Sequence, residues 1–402
     1  VTGGRKLSLT LPQPPTTQGY YRDIAVYAYP TPVGSDATTT TTKPLITSSI
    51  PGENLSLLAT VGNRKNFKTS EPGWIQYAFA RPFTCRSIRI RSSGYNYQAN
   101  RLLVEASDDG RTFRPVARLH PPRSGWQDSS AVTHALPATT ARFFRFAYDP
   151  AGSEPGAEDL DAAKWKQSLK VSEIQLSGAA RIHQFEGKNG DVWRVSERTT
   201  TAQLPAAQCV PLSKIINLTD KLDASGRLTW AAPPGRWTIL RMGHTSTGQV
   251  NTTGGGGRGL ECDKFNPTAI TLQFDKWFGE AGRQGGPELA ARVLKVFHVD
   301  SWECGSQNWS ANFAAEFQQR RGYDLLPYLP VLSGVPLQSA DQSERVLFDV
   351  RQTIAELIND KFYATLRDLA HAKGCTFSAE SVAPTMVSDG LLHYQNVDVP
   401  MG

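Results

Sequence analysis

Two glutamates, Glu303 and Glu380, stand at or just past the ends of two apolar runs, residues 294–299 and 375–379. Each run reads as a buried strand. In a parallel barrel the C-terminal ends of the strands share one face, so both carboxyl groups would arrive there. Two such acids can divide the work of glycoside hydrolysis. One, its pKa raised by burial, protonates the leaving oxygen, while the other activates water or attacks the anomeric carbon. The bland alternative is a pair of surface or salt-bridged acids. Asp300 and Trp302, both beside Glu303, tip the balance towards a site.

The neighbours extend the pattern. His298 lies two residues before Asp300 in the strand, so the two side chains point the same way. They form a site pair, or His298 is a packed, hydrogen-bonded core residue. Trp302 either stacks on a sugar ring or packs in the core. Gln307 and Asn308 suit hydroxyl recognition, and Asn308 could equally cap the helix that follows. His244 and Asp263 bracket the loop after a strand at 237–242, on the same presumed face. The glycines at 254–257, followed by Arg258 and Gly259, lack the Lys-Ser/Thr of a phosphate loop and read as a flexible active-site loop. No Gly-x-Ser-x-Gly elbow occurs, which disfavours a serine hydrolase. The five cysteines, Cys85, Cys209, Cys262, Cys304 and Cys375, form no CxxC pair and suggest neither a zinc site nor a disulfide scaffold. Cys304 and Cys375 read as packing residues.

The elements that must position these groups differ along the chain. Residues 1–45 form a connector with one strand-like run at 24–29. Residues 46–180 alternate as short strands, at 74–79, 87–91, 103–107, 113–116, 142–146 and 171–176, with a hairpin signal at Asp109-Gly110; they predict a β-sandwich. A loop or insert is expected at 149–163. Residues 181–235 read as a β-rich connector. From 236 to 402, strands at 237–242, 294–299 and 375–380 alternate with helices, which implies a parallel sheet with right-handed crossovers. The first helix starts at Pro267 behind an Asn266 cap, with Ile270, Phe274, Trp277 and Phe278 as its apolar stripe. The second spans about 309–321, and a long third covers about 343–373. The fold class is thus α/β plus all-β.

Composition narrows the partners. With 402 residues, 39% hydrophobic and 20% charged, the chain is long enough for two or three domains. A net charge of +6, with Lys and Arg scattered, argues against nucleic acid. No apolar run approaches the roughly 20 residues of a membrane span. No basic-then-apolar leader precedes Leu7.

Several stretches carry a resemblance: YYRDIAVYAYPTP, PPGRWTILRMGHTSTG, GLECDKF, DSWECGSQNW, RRGYDLLPYLP, SERVLFDVRQT and YQNVDVPMG. Through them the chain resembles glycoside hydrolase family 106, the α-L-rhamnosidases. The run from 299 to 330 is the most specific part. Residues 46–180 resemble a discoidin-like, galactose-binding jelly roll, through WIQYAF, RSIRIRS, EASDDGRTF, FFRFAY and VSEIQLSG.

The family resemblance implies exo-acting, inverting cleavage of terminal α-L-rhamnose with a calcium ion in the site. By motif position Glu303 is the general acid, and Glu380 a second carboxylate for water activation or metal binding. Asp300 or Glu380 could be calcium ligands. It also implies part of a (β/α)8 barrel interrupted by an inserted β-sandwich, in an interior piece of a longer enzyme. The expected base then lies just beyond Gly402. The expected partners are a rhamnose-containing glycan and the rest of the same polypeptide, and the expected location is the periplasm or outside a bacterial cell. The alternatives are a retaining glycosidase of another barrel family and a non-catalytic carbohydrate-binding protein.

Overall fold

The computed structural model describes all residues except 53, 93–99, 125–129, 153–167, 252–257, 303, 382–387 and 402. Glu303, the glycine run 254–257 and most of the expected insert at 149–163 therefore lie outside the described residues. Strands β1 (Arg5–Thr10) and β2 (Tyr21–Pro30) come first. Then follow β3 (Leu45–Ser48), β4 (Phe67–Thr69), β5 (Gly73–Ser92), β6 (Leu103–Ser107), β7 (Arg114–Arg118), β9 (Ala131–Tyr148) and β10 (Leu169–Ser177). These seven make one antiparallel sheet in the order β4-β10-β5-β9-β6-β7, with β3 also on β5.

The runs 74–79 and 87–91, expected as two strands, are the two ends of β5. Between them Ala80, Arg81 and Pro82 are exposed. Proline cannot donate to a ladder, and here the pairing with β9 jumps from Ala78 opposite Phe143 to Phe83 opposite Ala141. On either side, alternation buries Ile75, Tyr77 and Phe79, then Phe83 and Cys85, and, past a second register shift, Ile88 and Ile90. They join Phe144, Phe146, Ile174 and Leu176 in a single apolar cluster. The Tyr77 hydroxyl, fully buried, donates to the Ile174 carbonyl at 2.9 Å, so its polar atom is not stranded.

The chain's first residues pair with residues from the far side of that sheet. β1 lies antiparallel to β13 (Arg227–Ala232). β2 is the centre of a second sheet, between β12 (Ile216–Asn217) and β14 (Trp237–Thr245), both antiparallel to it. β2 is buried from Ala25 to Tyr29, as a central strand should be. Its Val26 and Ala28 join a small cluster with Trp230 and Trp237, while Ala25 and Tyr27 face the main helical core. This corrects one expectation. The strand predicted at 237–242 does not join the parallel sheet; it runs antiparallel to β2. Apolar alternation marks a strand but not its partner.

The parallel sheet consists of β15 (Val296–Val299), β16 (Thr376–Glu380) and β17 (Val399–Met401), in that order. Phe297 lies opposite Phe377, and Glu380 opposite Met401. Helix α1 (Pro267–Phe274) begins as expected, with the Asn266 Oδ1 accepting from the Thr268 amide at 3.0 Å. Ile270 and Phe274 are buried, but Trp277 is 64% exposed. A π-helical turn at Asp275–Gly279 explains this, because its wider winding rotates later residues off the stripe. Helix α2 (Phe313–Arg321) starts later than expected, so Asn308 is not its cap. The long third helix is α3 (Ala340–Leu357), a second π-helical turn (Ile358–Tyr363) and α4 (Ala364–Ala372). Phe313, Phe317, Val350, Ile354, Tyr363 and Leu366 pack with Phe297 and Phe377 in the main cluster.

Candidate active site

β15 and β16 run side by side and end together. Asp300 follows the first, and Glu380 is the last residue of the second. The Asp300 carboxyl is held below its ordinary pKa, first by the Ser301 amide and then by a hydrogen bond with Glu380. The Ser301 amide donates to Asp300 Oδ1 at 2.8 Å. The two residues are neighbours across the ladder, each one step beyond the pair Val299 and Ala379. His298 is exposed, which removes the core reading for it. Its Nδ1 lies 3.2 Å from the Ser378 Oγ, and that hydroxyl donates to the Val399 carbonyl at 3.2 Å. A polar line thus crosses all three strands just below the acids.

Trp302 does not offer a stacking face. It is only 5% exposed, its indole N–H donates to the Gly305 carbonyl at 2.8 Å, and its ring packs edge-on against Phe362. The core reading wins because the ring is covered by the helix behind it. Gly305 is left-handed at φ 70, and a Cβ there would strike the Gln249 side chain, so the turn requires glycine. Under the ring, buried Lys264 donates to Glu261 Oε2 at 2.5 Å, with its ammonium 6.0 Å from the Trp302 ring centre. Cys304 and Cys262 sit nearby; burial pushes the Cys304 thiol up to about 11, so neither a thiolate nor a nucleophile is favoured there. Cys375 is buried too.

Asp263 acts through others. Its Oδ1 accepts from Gln307 Nε2 at 2.6 Å and from the Phe265 amide at 3.0 Å, and its Oδ2 accepts from Ser310 Oγ at 2.8 Å. The Gln307 Oε1 in turn accepts from the Lys264 amide at 3.0 Å. This network fixes the segment that follows β15.

Beside that segment opens a cleft of about 540 Å³, lined by His244, Gln307 and Asn308 among the expected residues. His244 is the penultimate residue of β14, edge-on to Tyr20 at 5.6 Å. Burial lowers its pKa, with Arg22 acting in the same direction and Asp263 opposing. Asp263, Asp300, Trp302 and Glu380 are not in the cleft's lining. The expected residues therefore fall into two groups, a cleft group and an acid pair, joined by residues 300–307. Sequence reasoning missed the opposite wall, made by Asn189, Asp191 and Trp193. The available signal was a tryptophan close behind an Asn-Gly turn, within a stretch read as a plain connector.

Calcium takes about six to eight oxygen ligands. The Asp300–Glu380 pair, side by side at the ends of adjacent strands, offers carboxylate oxygens of the kind such a cation takes. Among the described residues no group of three or more His, Cys, Asp or Glu side chains converges, so this pair would supply only part of a shell.

A family model described as alpha-L-rhamnosidase, glycoside hydrolase family 106, matches residues 1–402. The solved rhamnosidase from Novosphingobium sp. PP1Y superposes on 99% of this chain with a TM-score of 0.81 and 24% identity. A Formosa agariphila protein named, provisionally, a beta-glucuronidase is 37% identical over 221 residues, 54% of this chain. The chain spans 37% of the first of these proteins and 18% of the second.

Proposed function

The chain belongs to the alpha-L-rhamnosidase family of glycoside hydrolases, family 106, and from that premise we propose that it carries the catalytic part of an exo-acting, inverting enzyme. Its substrate is terminal α-L-rhamnose on a glycan or glycoside. The observation that carries the reading is the Asp300–Glu380 pair, at the C-terminal ends of adjacent parallel strands and next to a cleft lined by His244, Gln307 and Asn308. Glu303, between Asp300 and Gln307 in sequence, is the general acid in this reading and donates its proton to the leaving oxygen. A carboxylate on the opposite face of the ring takes a proton from the attacking water. Glu380, hydrogen-bonded to Asp300, assists that step or holds a cation. His244, Gln307 and Asn308 bind sugar hydroxyls, and Asp263 orients Gln307. If calcium binds, Asp300 and Glu380 are the proposed ligands, and the ion supplies positive charge that orients hydroxyl groups.

The architecture is proposed on the same premise. The parallel strands β15 to β17, with their helices, are read as part of a (β/α)8 barrel. The antiparallel sheet of long, bulged strands over one apolar cluster supports a galactose-binding-like sandwich inserted into it. Residues 1–45 and 181–235 then serve as connectors, the remaining polypeptide completes the barrel, and the enzyme works in the periplasm or outside a bacterial cell.

The test is an NMR time course of the full-length protein on an aryl α-L-rhamnoside, with added calcium and with chelator. The expected result is β-L-rhamnose as first product, with release stopped by chelation and the thermal midpoint lowered. First appearance of the α-anomer would instead indicate a retaining mechanism. Unchanged turnover and midpoint in chelator would remove calcium from the site.

A further inference from the structure

The cleft wall opposite Gln307 is built by residues that lie between the seven-stranded sheet and the helices. On one side they are tied to the helical core. Lys188, 2% exposed, donates from Nζ to Glu344 Oε1 on α3 at 2.7 Å, and Thr200 Oγ1 donates to the same oxygen at 2.7 Å. Arg351 donates to the Lys188 carbonyl at 2.8 Å, and Asn189 Nδ2 donates to the Leu332 carbonyl at 2.6 Å. Asn308 Nδ2 closes the gap to the facing wall by donating to the Asn189 carbonyl at 3.1 Å. Gly190, at φ 75, fits so tightly that a Cβ would lie 2.5 Å from Ile354 Cδ1. On the other side the segment is tied to the sheet domain. The buried Arg194 donates to the carbonyls of Ala131 at 2.8 Å and Ser130 at 3.0 Å. Next to it, strand β11 (Arg194–Val195) pairs with β8 (Arg123–Ser124).

Trp193 stands between these two anchorages. It lines the cleft, is half-buried, and belongs to none of the four apolar clusters. An aromatic held at both ends of its segment, facing the cleft and not used by the core, is suited to the C–H face of a pyranose. A cleft of about 540 Å³ is of drug-sized capacity, more than one pyranose fills. The wall meets the facing run at Asn308, beyond Gly305 and Ser306 from the acid pair. We propose that Trp193 is the stacking platform for the sugar on the leaving-group side of the scissile bond, and so determines which rhamnosides are cleaved. This rests on the hydrolase reading above.

The experiment compares kcat/KM of the full-length enzyme and its W193A and W193F variants on two substrates. One is α-L-rhamnosyl fluoride, whose leaving group is a single atom. The other is a disaccharide with terminal α-L-rhamnose. Because truncating an aromatic anchor costs about tenfold or more in binding, the loss in Trp193→Ala should be at least about tenfold larger on the disaccharide than on the fluoride. It should appear mainly in KM, and Trp193→Phe should recover most of it. Equal losses on both substrates, or no loss on either, would overturn the inference while leaving the hydrolase reading intact. Wild-type enzyme that turns over neither substrate would sink both.

Discussion

The cleft wall formed by Gln307 and Asn308 follows β15 directly in the chain and is fixed by Asp263, with the Trp302 indole held by the Gly305 carbonyl ahead of it. The facing wall, from Asn189 to Trp193, owes its place to two separate bodies, the helix α3 on one side and the seven-stranded sheet on the other. The first wall adjoins the proposed chemistry. The second contributes none of the proposed catalytic acids yet is tied to both the helix α3 and the seven-stranded sheet. A site assembled in this way can keep its reaction fixed while its choice of substrate varies, because the two properties are carried by segments with different supports.

Three measurements would break or sharpen that contrast. The largest effect is expected from Glu303→Gln, four residues before Gln307 in the sequence. A general acid contributes about 10²- to 10⁴-fold, so kcat on natural rhamnosides should fall by about that range, and by much less on substrates with activated leaving groups. Equal activity of the variant on both classes would take the acid role from Glu303 and leave the first wall without its distinguishing chemistry.

Next comes Lys188→Met, in the second wall. It leaves Glu344 buried with its charge partner gone, which costs about 3–5 kcal/mol when a buried pair is broken on one side. The urea midpoint should drop accordingly, and surviving enzyme should lose selectivity between substrates rather than kcat on the simplest of them. A variant as stable as wild type would mean that the second wall is not anchored through this pair.

The smallest effect is in pH. Burial, with the charges of Lys188 and His120, lowers the pKa of His183 to about 4, and His134 beside it lies well below its ordinary value. In the unfolded chain such a residue titrates near 6.5. Above that pH both states are neutral and stability is unaffected. Between about 6.5 and 4 only the unfolded chain takes up the proton, so stability falls with pH by up to about 1.4 kcal/mol per unit for each such histidine. Unfolding midpoints that stay flat from pH 7 to 5 would contradict a neutral, buried His183 at the root of the second wall.

What the sequence made legible follows the same division. Alternation found the strands of the sheet domain, because one face of each run is buried in its own cluster. The Asn266 cap and the apolar spacing of α3 were local signals and appear in the structure. The acids at the ends of β15 and β16 were also local, since a strand end is written in the run that precedes it. The pairing of β14 with β2 was not, because no short window records a partner that far away in the chain. Trp302 reads the same in sequence whether it faces sugar or core; only Phe362, delivered by a distant helix, decides it. The Trp193 wall was hidden for a related reason: both of its supports are remote.

The π-helical turn at Ile358–Tyr363 has a consequence of another kind. It holds one residue more than an uninterrupted α-helix would need, and each residue turns the helix by about 100°. Removing that one residue would let α3 run straight into α4 as an unbroken α-helix with the flanking turns keeping their faces; what would be lost is the widened turn that carries Phe362 to Trp302 and Tyr363 to its stacked contact with His393 at 4.2 Å. The spare residue thus widens one turn between two halves of one helix, and Trp302, ahead of Gln307, rests on that turn from behind.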